Sequence, residues 1–547
     1  MPAQPQPPSA PQPQPFAWNN PHPTIRTPVF ARNVVSTSQP LAAQAGLAIL
    51  REGGNAVDAA IAAAAVIALV EPVSNGLGSD CFAIVWDGTR LHGLNASGWS
   101  PAAWDRAYFD RVNNGTIPQR GWNSVSVPGC VAGWIELHGK LGRLPFDHLM
   151  GPAIEYAERG YAVSTIVQRK WAAQAEILRS QPGFSEHFLP RGRPPAVGER
   201  FVPAGAAETL RRIAQSAGRD FYEGETAHRL VAHSKANGGA LAAADLSNYR
   251  PEWVDTLSVN YQGYELHEIP PNGQGIAALM ALGILRHFDL ASLDPEGAET
   301  RHLQIEAVKC AFADVYRHVA DPRYMKFAPE ALIDEAYLKE RASLISRTTA
   351  THFHHGSPPS GGTIYMSTAD QSGMMVSFIQ SNYMGFGSGV VVPGTGVSLQ
   401  NRGFGFVTDP GHPNVVEPHK RPFQTIIPGF LTRAGKPVMS FGVMGGNIQP
   451  QGHVQTLLRM VDYRQNPQAA CDAPRFKVHQ GLDVDLESTM PRQVTEQLTA
   501  RGHHITAVDD PYMDFGSGQF IWRLTEDLED GYVAASDSRR DGHAAGF

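Results

Sequence analysis

RTTATHFHHGSPPSGG, residues 347–362, followed by TIYMSTAD, residues 363–370, decides how the rest of the chain is read. The first stretch is Ser, Thr, His, Gly and Pro with almost no apolar content, the composition of a mobile surface connection. At Thr363 the character changes. TIYMSTAD and MMVSFIQSNY (374–383) are β-prone runs on either side of a Gly-containing turn, which predicts a hairpin. A long polar segment therefore ends at Gly362, and Thr363 opens a buried-type strand.

That junction suits one kind of chemistry. A threonine hydroxyl is a weak nucleophile and needs a base beside it. The residue's own α-amine can serve, because a free α-amine has a pKa of about 7.7–8.0 and is partly neutral near pH 7. The amine exists only once the bond before Thr363 is cut. The cut can be self-inflicted: the Thr363 hydroxyl attacks the Gly362 carbonyl, an ester forms, and water opens it. Gly362 has no side chain to obstruct the attack. Taken alone, Gly-Gly-Thr is more simply a loop entering a strand, and the chemical reading draws its weight from the rest of the chain.

Working outward, structure is expected to begin near Thr24. Pro40–Glu52 reads as a helix ended by Gly53-Gly54, and Asn55 as the cap of a second helix running to Val70 before Pro72. A Gly-rich turn then leads into two strands, within 71–88 and 91–101. Ala206–Gln215 and His302–His318 read as amphipathic helices. Residues 1–23, rich in Pro and Gln, read as an unstructured tail without the pattern of a secretory signal, so a cytoplasmic protein is expected. The alanine-rich run 56–70 carries Asp58 and falls short of a membrane span. Length alone suggests about three or four domains, although large layered folds run longer undivided.

The formal charge of −7, from 45 basic and 52 acidic residues, gives no basic stripe for nucleic acid and no membrane-binding cluster. Four scattered cysteines, with no CxxC pair, make neither a disulfide framework nor a zinc site. His352, His354 and His355 read as solvated linker histidines, so neither metal nor cofactor is expected. Asp80, after the Gly turn, reads as paired with a backbone amide. GFGSG (385–389) lacks the context of a nucleotide loop, and no GxSxG element is present.

From about residue 24 onward the chain resembles the γ-glutamyltransferase (glutathione hydrolase) family. The matching blocks occur in one order: GGNAVDAAIAAAAVIALVEPVSNGLGSD (53–80), VPGCVAGW (127–134), EAVKCAFAD (306–314), TIYMSTAD (363–370), GFGSG, KRPF (420–423), MGG (444–446), APRF (473–476) and SDSRRDGHAAGF (536–547). The resemblance implies an α+β fold, the four-layer αββα sandwich of N-terminal-nucleophile hydrolases. It implies a proenzyme cut into a large subunit, 24–362 with its tail, and a small subunit, 363–547, both building one domain. The two pieces would stay associated and act on a small-molecule amide, and pairing of such heterodimers is compatible with the resemblance. Carried over by position, Thr363 is nucleophile and base, Ser381 stands at the supporting hydroxyl, and Gly445 and Gly446 supply the oxyanion-binding N–H groups.

The substrate-recognising positions depart from the family. The arginine of its R-E-M-A-P segment is Ser97 here, in Ser97-Gly98-Trp99-Ser100-Pro101. The aspartate that holds the substrate ammonium is Phe404. Tyr383 follows the supporting hydroxyl in place of asparagine, and Gln424-Thr425 replaces a serine pair. Arg402 is a candidate replacement anion clamp, because guanidinium binds carboxylates bidentately; a surface arginine is the alternative. Trp99, Tyr383, Arg402, Gln424 and Thr425 are thus the candidate substrate contacts. Three readings stay open: hydrolysis or transfer of γ-glutamyl-type acyl groups, the same mechanism on a non-glutamyl amide (like the family's oxamate amidohydrolase and cephalosporin acylase members), and an unprocessed, non-catalytic scaffold.

Overall fold

The computed structural model describes residues 16–18, 26–353, 362–510 and 515–547. The hairpin read around Thr363 is present: Gly362–Ala369 and Met375–Tyr383 pair antiparallel. They lie in the middle of a first sheet of seven strands, ordered His543–Gly546, Val34–Thr37, Gly362–Ala369, Met375–Tyr383, Asp80–Trp86, Leu91–Ala96, Glu252–Val254. A second seven-stranded sheet runs Val29–Ala31, Tyr532–Ser536, Ser517–Arg523, Lys436–Met444, Gly429–Arg433, Tyr264–Glu268, Leu257–Tyr261. Both sheets take strands from either side of the 362/363 junction.

Strand periodicity explains how the layers stack. In Asp80–Trp86, Phe82, Ile84 and Trp86 point to the second sheet and join, with Tyr365 and Ile379 of their own sheet, a cluster that includes Phe430, Met444 and Ile521 of the second. Cys81, Ala83 and Val85 point the other way, into the helices. A strand buried on both faces is apolar along its length, which is why these runs do not alternate in sequence. The sheets come very close at Gly442, where a Cβ would lie 2.4 Å from the Tyr365 ring, so only glycine fits there.

Helices Ala56–Val70 and Cys130–Leu141 cover the outer face of the first sheet. Ile276–Leu285 and Ile448–Val461 cover the second, with Ala298–His318 packed on Ile276–Leu285. The layers are helix, sheet, sheet, helix, as expected. The several domains suggested by length are not seen, because strands from distant parts of the chain are woven into both sheets.

Asn55 caps its helix as read, and Asp58 completes a capping box while accepting from the Arg143 and Leu144 N–H groups. This is how a carboxylate sits within a wholly buried helix. Two expectations need correction. The helix read as amphipathic over His302–His318 starts at Ala298 and is buried on nearly every face, with Lys309 paired to Glu306 within it and Arg301 to Glu296 just before it. Order also begins before Thr24: Phe16 is buried against Trp522, and the Ala17 N–H donates to the Arg464 carbonyl at 3.0 Å. An apolar ring in the Pro/Gln tail is enough to anchor that point. The rest of the tail, apart from Trp18, lies outside the described residues. No helix among them is long and apolar enough to cross a membrane.

Candidate active site

The site grows from an irregularity in the central hairpin. Gly362 pairs with Tyr383 and Ile364 with Gln380, so one residue, Thr363, faces two, Ser381 and Asn382. Such a bulge re-aims a side chain out of the regular pleat. Thr363 is buried, with Oγ1 3.2 Å from Ser381 Oγ. The Tyr383 N–H donates to Ser381 Oγ at 2.8 Å. Tyr383 has φ +78°, a left-handed conformation that is costly for a bulky residue and folds its own N–H back onto that hydroxyl.

Gly445 and Gly446 end the strand Lys436–Met444 in the facing sheet, with φ +124° and +70°. A Cβ at Gly445 would also meet Ile448 Cγ2 at 2.7 Å, so conformation and space both require glycine. The turn is held from behind by Gln274, whose Nε2 donates to the Gly446 carbonyl at 3.0 Å and the Thr425 carbonyl at 2.6 Å. Three residues on, Gln449 Nε2 donates to Thr363 Oγ1 at 3.3 Å and ties the glycine turn to the threonine.

Arg402 is not a surface arginine. It is 1% exposed, with Nη1 donating to Thr425 Oγ1 at 2.9 Å and its guanidinium carbon 4.9 Å from the centre of the Tyr383 ring. Nε and Nη2 have no hydrogen-bond partner among the described residues. These two groups form one edge of the guanidinium fork, the edge that grips a carboxylate bidentately. Burial lowers the Arg402 pKa to about 10, which leaves it charged at neutral pH.

Asp80 is the cross-strand neighbour of Ser381. It accepts from the Gly129 N–H at 3.0 Å, as read from sequence, and also from Gln424 Nε2 at 2.9 Å. Burial pushes its carboxyl up to about 6, with the Arg402 charge the largest opposing influence. Gln424 also reaches Ser97 Oγ at 3.2 Å, and Asn272 donates to the same hydroxyl at 3.0 Å. Of the candidate contacts, Tyr383, Arg402, Gln424 and Thr425 thus cluster with Thr363 and Ser381. Phe404 is half-buried in the short turn Arg402–Gly405. Trp99 stands apart, its ring edge-on to Tyr249 and His419 and its Nε1 donating to the Asp245 carbonyl.

Sequence reasoning missed Gln274, Asn272 and Gln449. The signal was a run of glutamines around the glycine turns, in PPNGQG (270–275) and MGGNIQPQG (444–452), where buried amides hold backbone in place.

A possible metal set, His302, Glu306 and His503, is buried elsewhere in the molecule. Its hydrogen bonds account for it without an ion. His302 Nε2 donates to the Ser346 carbonyl at 2.7 Å, so Nδ1 is the acceptor for His503 Nε2–H at 2.8 Å. Glu306 is taken by Lys309 Nζ at 2.6 Å and the Thr351 N–H at 2.9 Å. Burial holds both imidazoles below their ordinary pKa, as a neutral pair requires. His354 and His355 lie outside the described residues, and all four cysteines are free and buried.

Two facing antiparallel sheets between helical layers, with a threonine at the start of a central strand, define the N-terminal-nucleophile hydrolase architecture. The sequence model described as Gamma-glutamyltranspeptidase matches residues 42–547. The chain belongs to that family and is a hydrolase of it. It is 34% identical over 530 residues to the glutathione hydrolase-like YwrD proenzyme of Bacillus subtilis (strain 168), covering 95% of this chain and 99% of the relative. It is 36% identical over 521 residues to the oxamate amidohydrolase proenzyme of Klebsiella pneumoniae, covering 93% and 97%. The crystal structure of cephalosporin acylase from Bacillus halodurans superposes with a TM-score of 0.91 at 45% identity, covering 97% of this chain and 99% of that one.

Proposed function

We propose that the chain is a self-cleaving N-terminal threonine amidohydrolase whose acyl substrates carry a carboxylate but no α-ammonium. The observation that carries the mechanism is the buried Thr363 hydroxyl, set at a bulge against Ser381 and across from the Gly445–Gly446 turn. Cleavage after Gly362 frees the Thr363 amine. That amine takes the hydroxyl proton as Oγ1 attacks the amide carbonyl. The N–H groups of Gly445 and Gly446 receive the developing oxyanion, and such donors are worth about 2.7–4 kcal/mol each. The Thr363 ammonium returns that proton to the substrate nitrogen, the carbon–nitrogen bond breaks, the amine product leaves, and water opens the ester. An amine acceptor competes with water for the same ester, so acyl transfer belongs to the same chemistry. The two subunits stay together because each sheet is built from both.

Arg402 and Phe404 support the substrate assignment. The unpartnered fork edge of Arg402 suits a carboxylate, whereas an ammonium facing Phe404 would lack a counter-charge. Oxamate, the substrate named for one relative, is an amide with a carboxylate and no ammonium. Denaturing electrophoresis with N-terminal sequencing tests the mechanism: two fragments are expected, the smaller of 185 residues (547 − 362) beginning TIYMS. A single intact polypeptide that still turns over substrate would refute it, and an intact, inert one would favour the scaffold. Comparing glutaryl- with γ-glutamyl-p-nitroanilide tests the acyl preference, and faster hydrolysis of the γ-glutamyl compound would defeat it.

A further inference from the structure

Gln449 lies in the first turn of the helix Ile448–Val461 and is fully buried. Its amide is used at both ends. Oε1 accepts from the Ile427 N–H at 3.0 Å, and since that backbone group can only donate, the orientation of the amide is fixed. Nε2 therefore faces the threonine and donates to Thr363 Oγ1 at 3.3 Å. This is longer than a relaxed amide bond of about 2.9–3.0 Å. Such bonds are often long in the resting enzyme and tighten when the acceptor gains charge.

We propose that Gln449 is a further catalytic residue, a donor that stabilises Oγ1 when this oxygen is the leaving group. The inference rests on Thr363 being the nucleophile. A hydroxyl has one proton and two lone pairs. Gln449 occupies one lone pair and leaves the proton free to point to the base. In deacylation a water oxygen bonds to the acyl carbon and the carbon–Oγ1 bond breaks. The water's proton passes to the Thr363 amine and from there to Oγ1. Until it arrives, Oγ1 carries negative charge, and the Gln449 N–H is already in place to bond it. The same holds for the ester to Gly362 during self-cleavage, where Oγ1 is again the oxygen released.

Two substitutions separate this role from a structural one. Gln449→Met keeps the length and removes the donor. Gln449→Glu keeps an acceptor for Ile427 and loses the donor while it is ionised. For Gln449→Met, kcat is expected to fall about ten- to a hundredfold, the cost of one donor to a charged oxygen. KM should fall with it, because deacylation becomes the slow step. Mass spectrometry of quenched reactions should find the acyl group on the small fragment of the variant but not of the wild type. Gln449→Glu should be impaired at alkaline pH and recover as acid protonates the new carboxyl, a recovery the wild type lacks. Unchanged kcat without trapped ester in Gln449→Met overturns the proposal. If that variant fails to fold, wild-type kcat for Gln449→Glu at both acid and alkaline pH overturns it instead. Thr363→Ala is the control: an active alanine variant sinks the nucleophile reading and this inference with it, whereas an inert one beside an unimpaired Gln449→Met sinks the inference alone.

Discussion

Replacing Arg402 by Met removes the guanidinium while keeping an unbranched, buried side chain. Nη1 is tied to Thr425, and the Nε/Nη2 edge is unpartnered in a site where Arg402 is 1% exposed. A carboxylate on that edge would form a buried, bidentate ion pair. Removing one member of such a pair typically costs about 3–5 kcal/mol, much of it the desolvation of the partner left behind. At roughly 3–4 kcal/mol, kcat/KM for glutaryl-p-nitroanilide should fall about 10²- to 10³-fold. Butyryl-p-nitroanilide, which lacks the carboxylate, should change little. Arg402→Lys should lie between, since it keeps charge without the fork. An equal loss on both anilides, or none on either, would refute the clamp.

The same substitution has a consequence for pH. The Asp80 pKa is raised from 3.8 to about 6, with Arg402 its largest counterweight. A raised carboxyl favours the folded state most below 3.8, and that contribution is lost as pH rises through about 6. Without Arg402 the Asp80 pKa moves higher and the loss deepens. The Tm deficit of Arg402→Met should therefore grow from about pH 5 to about pH 8, and a deficit that shrinks over this range would contradict the coupling.

Substitutions at three other positions test separate parts of the molecule. Thr363→Ala should abolish cleavage at the 362/363 bond and Thr363→Ser should slow it, both followed by electrophoresis; normal maturation of the alanine variant would remove Thr363 from the mechanism. Phe404→Asp returns a carboxylate to the position where the family binds the substrate ammonium, and should raise the γ-glutamyl to glutaryl rate ratio about tenfold or more; an unchanged ratio would place the acyl group elsewhere. Asp537 is buried, accepts from Arg475 Nη2 at 2.6 Å and the Gly518 N–H at 2.8 Å, and is held below its ordinary pKa by Arg475 and Arg539, which outweigh its burial. Its contribution is present above 3.8 and lost in acid, so Asp537→Asn should cost about 3–5 kcal/mol in urea unfolding at neutral pH and less in acid.

The hairpin at Thr363 and the Asn55 cap were legible from sequence because they are local: two-residue periodicity and capping act within a few residues, while residues 354–361 of the polar run before the hairpin lie outside the described residues. The αββα layers followed from resemblance over many blocks rather than from local pattern, which suggested several domains. Helix 298–318 shows where local reading fails. Its charged positions look solvent-facing in sequence, yet Arg301 and Lys309 are buried, each held by a carboxylate, Glu296 and Glu306.

The amino-acid sequence by itself placed a threonine after a Gly-Gly linker and substituted the glutamate-recognising positions. Tertiary structure alone decided what surrounds that threonine. Gln449 is 86 residues away along the chain and Asp80 is 344 from Gln424, so no local pattern could join them. Whether Arg402 is solvated or buried with an unsatisfied edge depends on neighbours such as Tyr383 and Thr425, which only folding brings against it. A side chain's charge is written in its residue type, but its energy is set by the dielectric and the partners that folding supplies.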